Sequence, residues 1–185
     1  PKNEDDELTT EERNLIAKMH KAITLIQLKL EAQIIQRRPQ YQMDNRLLLD
    51  KVDFSTHTIQ LDGKTHPLLD TNFPTVNPQQ PYELTNRERN LVERLKYAFT
   101  SSTRLQQHVR FLFSKGSMYL VYNGNLLFHG CIPMNEDGSF KGVLVEDEPV
   151  SGRDLMERFD RLAGLGYLAT DNPARKQEGL DTMWR

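Results

Sequence analysis

The chain has 185 residues, and its 24 basic and 26 acidic side chains nearly cancel, which excludes the strong positive field typical of nucleic-acid-binding proteins. No stretch reaches the roughly 20 apolar residues of a membrane span, and the acidic run 1–7 does not resemble a signal peptide. The single cysteine, Cys131, cannot form an internal disulfide and fits a reducing compartment, so we expect a cytoplasmic protein. From the charge balance and the lack of a membrane span we expect neither nucleic-acid nor membrane partners.

The first predicted element is a long helix. Thr9 and Glu12 have the spacing of a capping box, and Pro39 is expected to end the helix at about Arg38. The apolar residues of this segment follow helical spacing and form a wide stripe: Leu15, Ile16, Met19, Ile23, Leu25, Ile26, Leu28, Leu30, Ile34 and Ile35. Such a stripe needs a partner, which is either a later helix of the same chain or a second protein.

Short strands and a loop are predicted next. The pair Asp62-Gly63 is typical of a two-residue hairpin turn, so residues 56–61 and 64–68 are predicted to be paired strands. Residues 70–81 contain three prolines and are predicted to form a loop.

Two further helices are predicted before the pattern changes. Thr85 and Glu88 have capping-box spacing and begin the first, the serine pair at 101–102 interrupts the pattern, and Gly116 ends the second. Residues 1–115 are therefore predicted to form a mainly helical accessory region.

A β-hairpin is predicted from residue 117 onward. The pair Asn123-Gly124 favours a tight turn between strands at 117–122 and 125–132. Because both strands are almost continuously apolar, we expect them to be covered on both faces.

The last part of the chain is predicted to hold one more strand and one more helix. The strand is expected at 140–145, the helix begins after Ser151, and residues 171–179 are expected to form a loop. Helices followed by hairpins define an α+β fold class, with residues 116–185 as its β-rich part.

His129 is the candidate metal ligand. It lies where the second hairpin strand gives way to Gly130, and a glycine at that position lets a metal or a phosphate approach the backbone closely. The pattern alone leaves an alternative open, in which His129 is a buried histidine that hydrogen-bonds a backbone carbonyl.

Two blocks of sequence resemble a known family. Residues 116–140 read GSMYLVYNGNLLFHGCIPMNEDGSF and residues 172–184 read NPARKQEGLDTMW. Both are similar to the class III fructose-1,6-bisphosphatases of Firmicutes, which belong to the calcineurin-like metallophosphoesterases. The helical region 1–115 also agrees with this family, although less distinctively, and we expect the chain to be an internal fragment of a much longer protein.

The resemblance implies a function and a cofactor. In such enzymes a His-Gly at a strand end supplies one of several ligands to a two-metal centre, and His129 occupies that position. The parent would hydrolyse the 1-phosphate of fructose 1,6-bisphosphate in gluconeogenesis through a metal-activated hydroxide, with a divalent metal that is expected to be Mn²⁺. The Gly-Asp-x-x-Asp-Arg-Gly-like and Gly-Asn-His-like motifs that supply other ligands are missing from the 185 residues, so the fragment is predicted to be inactive. The C-terminal part would be an incomplete slice of an αββα core.

Three other residues receive weaker predictions. Arg175 and Lys176 are candidates for binding the phosphates of the sugar substrate, because guanidinium and ammonium groups suit phosphate oxygens. A solvated pair of loop cations is the alternative. Cys131 is predicted to be a small buried hydrophobe.

A second hypothesis belongs to a different class of protein. Residues 1–115 would form a regulatory or oligomerisation module that binds a protein partner, including a second copy, through the apolar stripe of the first helix. Packing of that stripe within the chain is the preferred interpretation.

Overall fold

The computed structural model describes residues 8–169 and 171–184, which contain five α-helices and seven short strands. The mixture of helices and small antiparallel sheets confirms the α+β fold class. Among the described residues, no helix is both long enough and apolar enough to cross a bilayer.

The predicted first helix is present as α1, Thr10–Arg37. Its capping box is formed: the hydroxyl of Thr9 accepts a hydrogen bond from the Glu12 amide at 3.2 Å, and the Glu12 carboxylate accepts one from the Thr9 amide at 2.8 Å. Pro39 then begins a short 3-10 turn, so the helix ends where proline predicts.

A small antiparallel sheet follows, with strands β1 (Val52–Asp53), β2 (Thr58–Leu61) and β3 (Lys64–Pro67) in that order. The predicted hairpin is confirmed. Asp62 and Gly63 both have positive φ, at 49° and 72°, as a two-residue turn of this type requires.

The core of this part lies beneath the second half of α1. Leu25 and Ala32 of α1 pack with Leu49 and with Tyr82, which follows the predicted loop at 70–81. The Tyr82 hydroxyl donates a 2.7 Å hydrogen bond to Asp50, and burial, together with this bond, raises the pKa of Tyr82 to about 12. The loop is therefore held against the core by packing and by hydrogen bonds.

Two helices follow the loop. Helix α2 covers Asn86–Ser101 and α3 covers Thr103–Lys115, with Ser102 between them as the N-cap of α3. The second predicted capping box is also formed, because the Thr85 amide donates to the Glu88 carboxylate at 2.7 Å and the Glu88 amide donates to the Thr85 hydroxyl.

The chain divides into two compact units between Ala98 and Phe99, within α2. The second unit contains two hairpins: β4 (Tyr119–Tyr122) with β5 (Asn125–Phe128), and β6 (Val143–Val145) with β7 (Glu148–Val150). The domain division at residues 115 and 116 concerns the longer protein and stays a prediction.

The second unit ends in two helices, α4 (Gly152–Leu168) and α5 (Pro173–Trp184). Helix α5 corrects the sequence analysis, which expected a loop at 171–179. Pro173 begins the helix, and the side chain of Asn172 accepts a 3.1 Å hydrogen bond from the Arg175 amide. The pair Asn172-Pro173 is thus the start of a helix, with asparagine as the cap and proline in the first turn.

The strand predicted at 140–145 is shorter than expected, and its partner β7 was missed. β6 covers only Val143–Val145, and it turns into β7 through Glu146 and Asp147, which have φ of 52° and 64°. A turn with positive φ usually carries glycine or asparagine, so the Glu-Asp pair at this turn did not indicate a hairpin.

The β4–β5 hairpin is confirmed, although β4 begins at Tyr119 rather than at 117 and β5 ends at Phe128 rather than at 132. Its predicted burial is wrong. Only Tyr119 is half-buried, and the other residues of the two strands are exposed. The two strands pair only with each other among the described residues. The exposure of their side chains shows that the hairpin is not covered on both faces.

Candidate functional site

His129 is exposed and lies directly after β5, at a bend that continues into Gly130. Gly130 has φ of 96°, and a Cβ built on it would meet no atom within 4 Å. The position therefore combines an accessible imidazole with open space beside the backbone. The alternative of a buried histidine satisfied by a carbonyl does not agree with the exposed side chain.

The hairpin register places His129 at a defined end of the two strands. Tyr119 pairs with Phe128, and Tyr122 pairs with Asn125 across the Asn123-Gly124 turn. His129 is therefore at the end where β4 begins and β5 ends, away from the turn.

Helix α4 anchors that end of the hairpin. The Asp160 carboxylate accepts hydrogen bonds from the Ser117 hydroxyl at 2.7 Å and the Met118 amide at 3.0 Å. One turn earlier, the Glu157 carboxylate accepts a 3.0 Å bond from the Tyr119 hydroxyl. These acceptors fix the start of β4 relative to α4, and through strand pairing they also fix the end of β5.

A second bond holds Glu157 in its charged form. Arg153, one turn away on α4, donates from Nε to Glu157 at 2.7 Å. This bond and the bond from Tyr119 lower the pKa of Glu157, so its carboxylate stays charged to a lower pH than that of an ordinary glutamate. This anchor was not predicted from the sequence, although Glu157 and Asp160 are three residues apart and therefore share a helix face.

Replacing Asp160 with alanine is expected to loosen the hairpin while leaving α4 intact. The two lost bonds involve a charged acceptor, so amide hydrogen exchange over residues 118–128 should become about tenfold faster. Asp154→Ala is the control, since Asp154 is exposed on the same helix and has no bond to the hairpin. Equal exchange rates in both variants would show that α4 does not position the hairpin.

Arg175 and Lys176 lie in the first turn of α5, where Arg175 is exposed and Lys176 is half-buried. Neither has a carboxylate partner among the residues that the structure describes. Cations are unfavourable at the positive end of a helix dipole, whereas a phosphate there would be favoured both by the dipole and by the two side chains.

The structure does not join the predicted site residues into one site. No hydrogen bond or ion pair links His129 to Arg175 or Lys176 within the described residues. The described part of the chain also contains no group of three or more His, Cys, Asp or Glu side chains that could hold a metal ion. The described residues therefore do not fit a complete metal centre, and the assignment of His129 as a metal ligand stays a prediction.

The prediction for Cys131 is wrong. Its thiol is exposed, two residues after His129, and it has no disulfide partner because the chain contains no other cysteine. Its apolar neighbours Ile132 and Pro133 are half-buried, so burial begins only after Cys131.

Comparison with known proteins identifies the family. The family model described as Firmicute fructose-1,6-bisphosphatase matches residues 1–185, and the chain belongs to this family. It is 50% identical over 184 residues to the fructose-1,6-bisphosphatase class 3 of Clostridium novyi, and 52% identical over 185 residues to a second class 3 protein, from Clostridium beijerinckii. Both alignments cover the whole chain but only 28% of each relative. No solved structure matches the chain.

Proposed function

We propose that this chain is part of an enzyme that hydrolyses the 1-phosphate of fructose 1,6-bisphosphate, giving fructose 6-phosphate and phosphate. The observation that carries this proposal is the family match over all 185 residues, together with about 50% identity to proteins named fructose-1,6-bisphosphatase class 3. Because the chain spans 28% of those relatives, the activity belongs to the full-length protein, and this chain alone is inactive.

His129 contributes one ligand to a divalent metal centre of the metallophosphoesterase type, which uses manganese. Support comes from its exposure, its position at the end of β5 and the free space at Gly130. The remaining ligands come from segments of the parent outside this chain. No step of the reaction is assigned to this chain alone, because the described residues do not complete a metal site.

The contribution of α5 is to bind substrate. Arg175 and Lys176 hold phosphate oxygens of the sugar bisphosphate, helped by the positive end of the helix. The enzyme acts in gluconeogenesis in the cytoplasm, where phosphorylated sugars are retained. These assignments rest on the chemistry of the side chains and on the family.

Self-association is a second candidate role, for the first half of α1. Leu15, Met19 and Ile23 are spaced four residues apart and are 59%, 54% and 57% exposed, so the stripe predicted from the sequence is covered only in its second half. An exposed apolar ridge of this kind supports a homo-oligomer of the full-length protein.

The test of the catalytic proposal uses the full-length protein. His129→Ala is expected to weaken manganese binding by about tenfold or more, measured by equilibrium dialysis with elemental analysis, because a ligand is removed. Phosphate release from fructose 1,6-bisphosphate should fall with the manganese content. His108→Ala is the matched control, since His108 is an exposed histidine on α3 that is not placed at the site.

The same assay separates metal binding from substrate binding. Arg175→Ala is expected to raise KM for fructose 1,6-bisphosphate and to leave bound manganese unchanged. Retention of full manganese content and turnover in His129→Ala would refute the ligand assignment. Absence of fructose 1,6-bisphosphate hydrolysis in the wild-type parent with manganese would refute the function itself.

A further inference from the structure

A cleft in the first unit lies between α1, the loop before α2 and the start of α2. It has a volume of about 360 Å³. The residues that line it include Lys18 and Lys21 of α1, Asn72 of the loop, and Arg87 and Leu91 of α2. This volume lies within the range of small-molecule sites, which is about 300–1,000 Å³. Three separate elements therefore converge on a space that could hold one small ligand.

The base of the cleft is apolar. Leu25 and Ile26 of α1 line it and are only 5% and 9% exposed, and Leu91 of α2 adds a partly exposed apolar wall. Since Leu25 also belongs to the packed core, the base is rigid. A ligand with an apolar body would lose its contact with water there, which is the main driving force for such binding.

The charges of the side chains at the cleft leave a positive excess. Lys21 is paired with Asp70 at 2.6 Å, and Glu88 is paired with the buried Lys29 at 2.8 Å. Lys18 and Arg87 are exposed and have no carboxylate within ion-pair distance among the described residues. Two cations from different helices are thus left to face the same opening.

Backbone electrostatics add to this excess. The cleft opens beside the first turn of α2, whose amide groups form the positive end of the helix dipole, partly offset by the Glu88 carboxylate of the capping box. An anionic group at the rim would meet this positive end and both free cations, whereas a cationic group would be repelled by all three.

We propose that this cleft binds a small amphipathic anion, with a phosphate or carboxylate held by Lys18 and Arg87 and an apolar body resting on Leu25, Ile26 and Leu91. The site is separate from the proposed function, because it uses no residue assigned to metal or substrate. It assigns the first unit a ligand-binding role of its own.

The experiment titrates this chain with three probes and follows the binding by NMR chemical shifts. Phenylphosphonate carries both a dianion and an aromatic ring, inorganic phosphate carries only the charge, and benzyl alcohol carries only the ring. Phenylphosphonate is expected to bind at least tenfold more tightly than either of the others. Its shift changes should concentrate at residues 18–26, 72–75 and 87–91.

A charge-matched pair of variants tests the assignment of the two cations. Lys18→Gln with Arg87→Gln is expected to weaken phenylphosphonate binding at least tenfold. Lys64→Gln with Arg94→Gln removes the same charge from exposed positions of the same unit and should change affinity less than twofold. Circular dichroism confirms that both double variants are folded.

Each outcome decides the proposal. Equal binding of phenylphosphonate and inorganic phosphate would show a nonspecific charge effect and overturn it, as would equal losses in the two double variants. Shift changes confined to the exposed β4–β5 hairpin would also overturn it, and this wild-type measurement holds even if a variant fails to fold. Absence of phenylphosphonate binding at millimolar concentration would end the proposal.

Discussion

Lys29→Met is expected to destabilise the first unit by about 3–5 kcal/mol, because it leaves a buried carboxylate without its partner. Lys29 is 0% exposed in the middle of the apolar stripe of α1. Its ammonium donates to Glu88 at 2.8 Å and to the Thr75 carbonyl at 2.6 Å. One side chain thus ties α1 to the loop and to the start of α2.

Comparison of the single variants with the double variant separates the interaction between Lys29 and Glu88 from the contribution of each side chain alone. Glu88→Gln should also destabilise the unit, since it leaves the buried Lys29 without a negatively charged partner and weakens the capping box at Thr85. Lys29→Met combined with Glu88→Gln should lose less than the sum of the two, because no buried charge remains unpaired. Lys21→Met is the control, because in the Lys21–Asp70 pair Lys21 is only half-buried and Asp70 is exposed, so the substitution should affect stability much less.

The pH dependence of the first unit follows from the same pair. Burial acts to raise the pKa of Glu88, but the hydrogen bond from Lys29 and the further bonds to this carboxylate outweigh it, so the pKa lies below the ordinary value. A pKa that is lowered on folding contributes stability at pH values above the unfolded pKa, and this contribution is lost as the pH falls through the folded one.

Hydrogen exchange of the α1 and α2 amides measures both the stability that the variants lose and the pH dependence of stability in the first unit. Between neutral and acidic pH, wild-type protection should fall more steeply than that of the double variant. If Lys29→Met were as stable as Lys21→Met, the pair would not be the structural tie inferred here.

Gly179→Ala is expected to separate α4 from α5 and to destabilise the second unit by about 1–3 kcal/mol. A Cβ on Gly179 would lie 2.5 Å from the Leu162 carbonyl oxygen and 2.8 Å from the Gly166 Cα. Both neighbours are backbone atoms of α4, so neither can move without displacing the helix. The two helices touch at a point that only glycine allows.

Gly164→Ala is the matched control for this prediction. Gly164 is also in α4, but a Cβ there meets nothing within 4 Å, so the substitution should stabilise the helix by about 0.5–1 kcal/mol. The single tryptophan, Trp184, is in α5 and reports the unfolding of this unit by fluorescence in denaturant. Identical midpoints for the two variants would contradict a close helix contact at Gly179.

Local signals in the sequence predicted most of the elements. The capping boxes at Thr9 and Thr85 and the Asp-Gly and Asn-Gly turns each act within a few residues, and all four are formed. The presentation of His129 at a strand end was predicted for the same reason. Such features depend little on the rest of the chain.

Interactions between distant residues were not predictable in this way. The partners Lys29 and Glu88 are 59 residues apart, so nothing near Lys29 in the sequence explains why a lysine lies within the apolar stripe of α1. Helix α5 stands where a loop was expected at 171–179, and its Gly179 lies against Gly166 of α4, a contact that local sequence does not reveal. The anchor of the β4–β5 hairpin on Asp160 also spans more than 40 residues.

The uncovered β4–β5 hairpin has a kinetic consequence. The outer edge of each strand keeps backbone amides and carbonyls without a strand partner among the described residues, beside exposed apolar side chains such as Leu120 and Phe128. Any extended segment can add to such an edge, whether it comes from the same polypeptide or from a neighbouring molecule. Pairing of this edge within one molecule therefore competes with pairing between molecules, which leads to aggregation. Because only the second process depends on protein concentration, a low concentration should raise the yield of soluble protein.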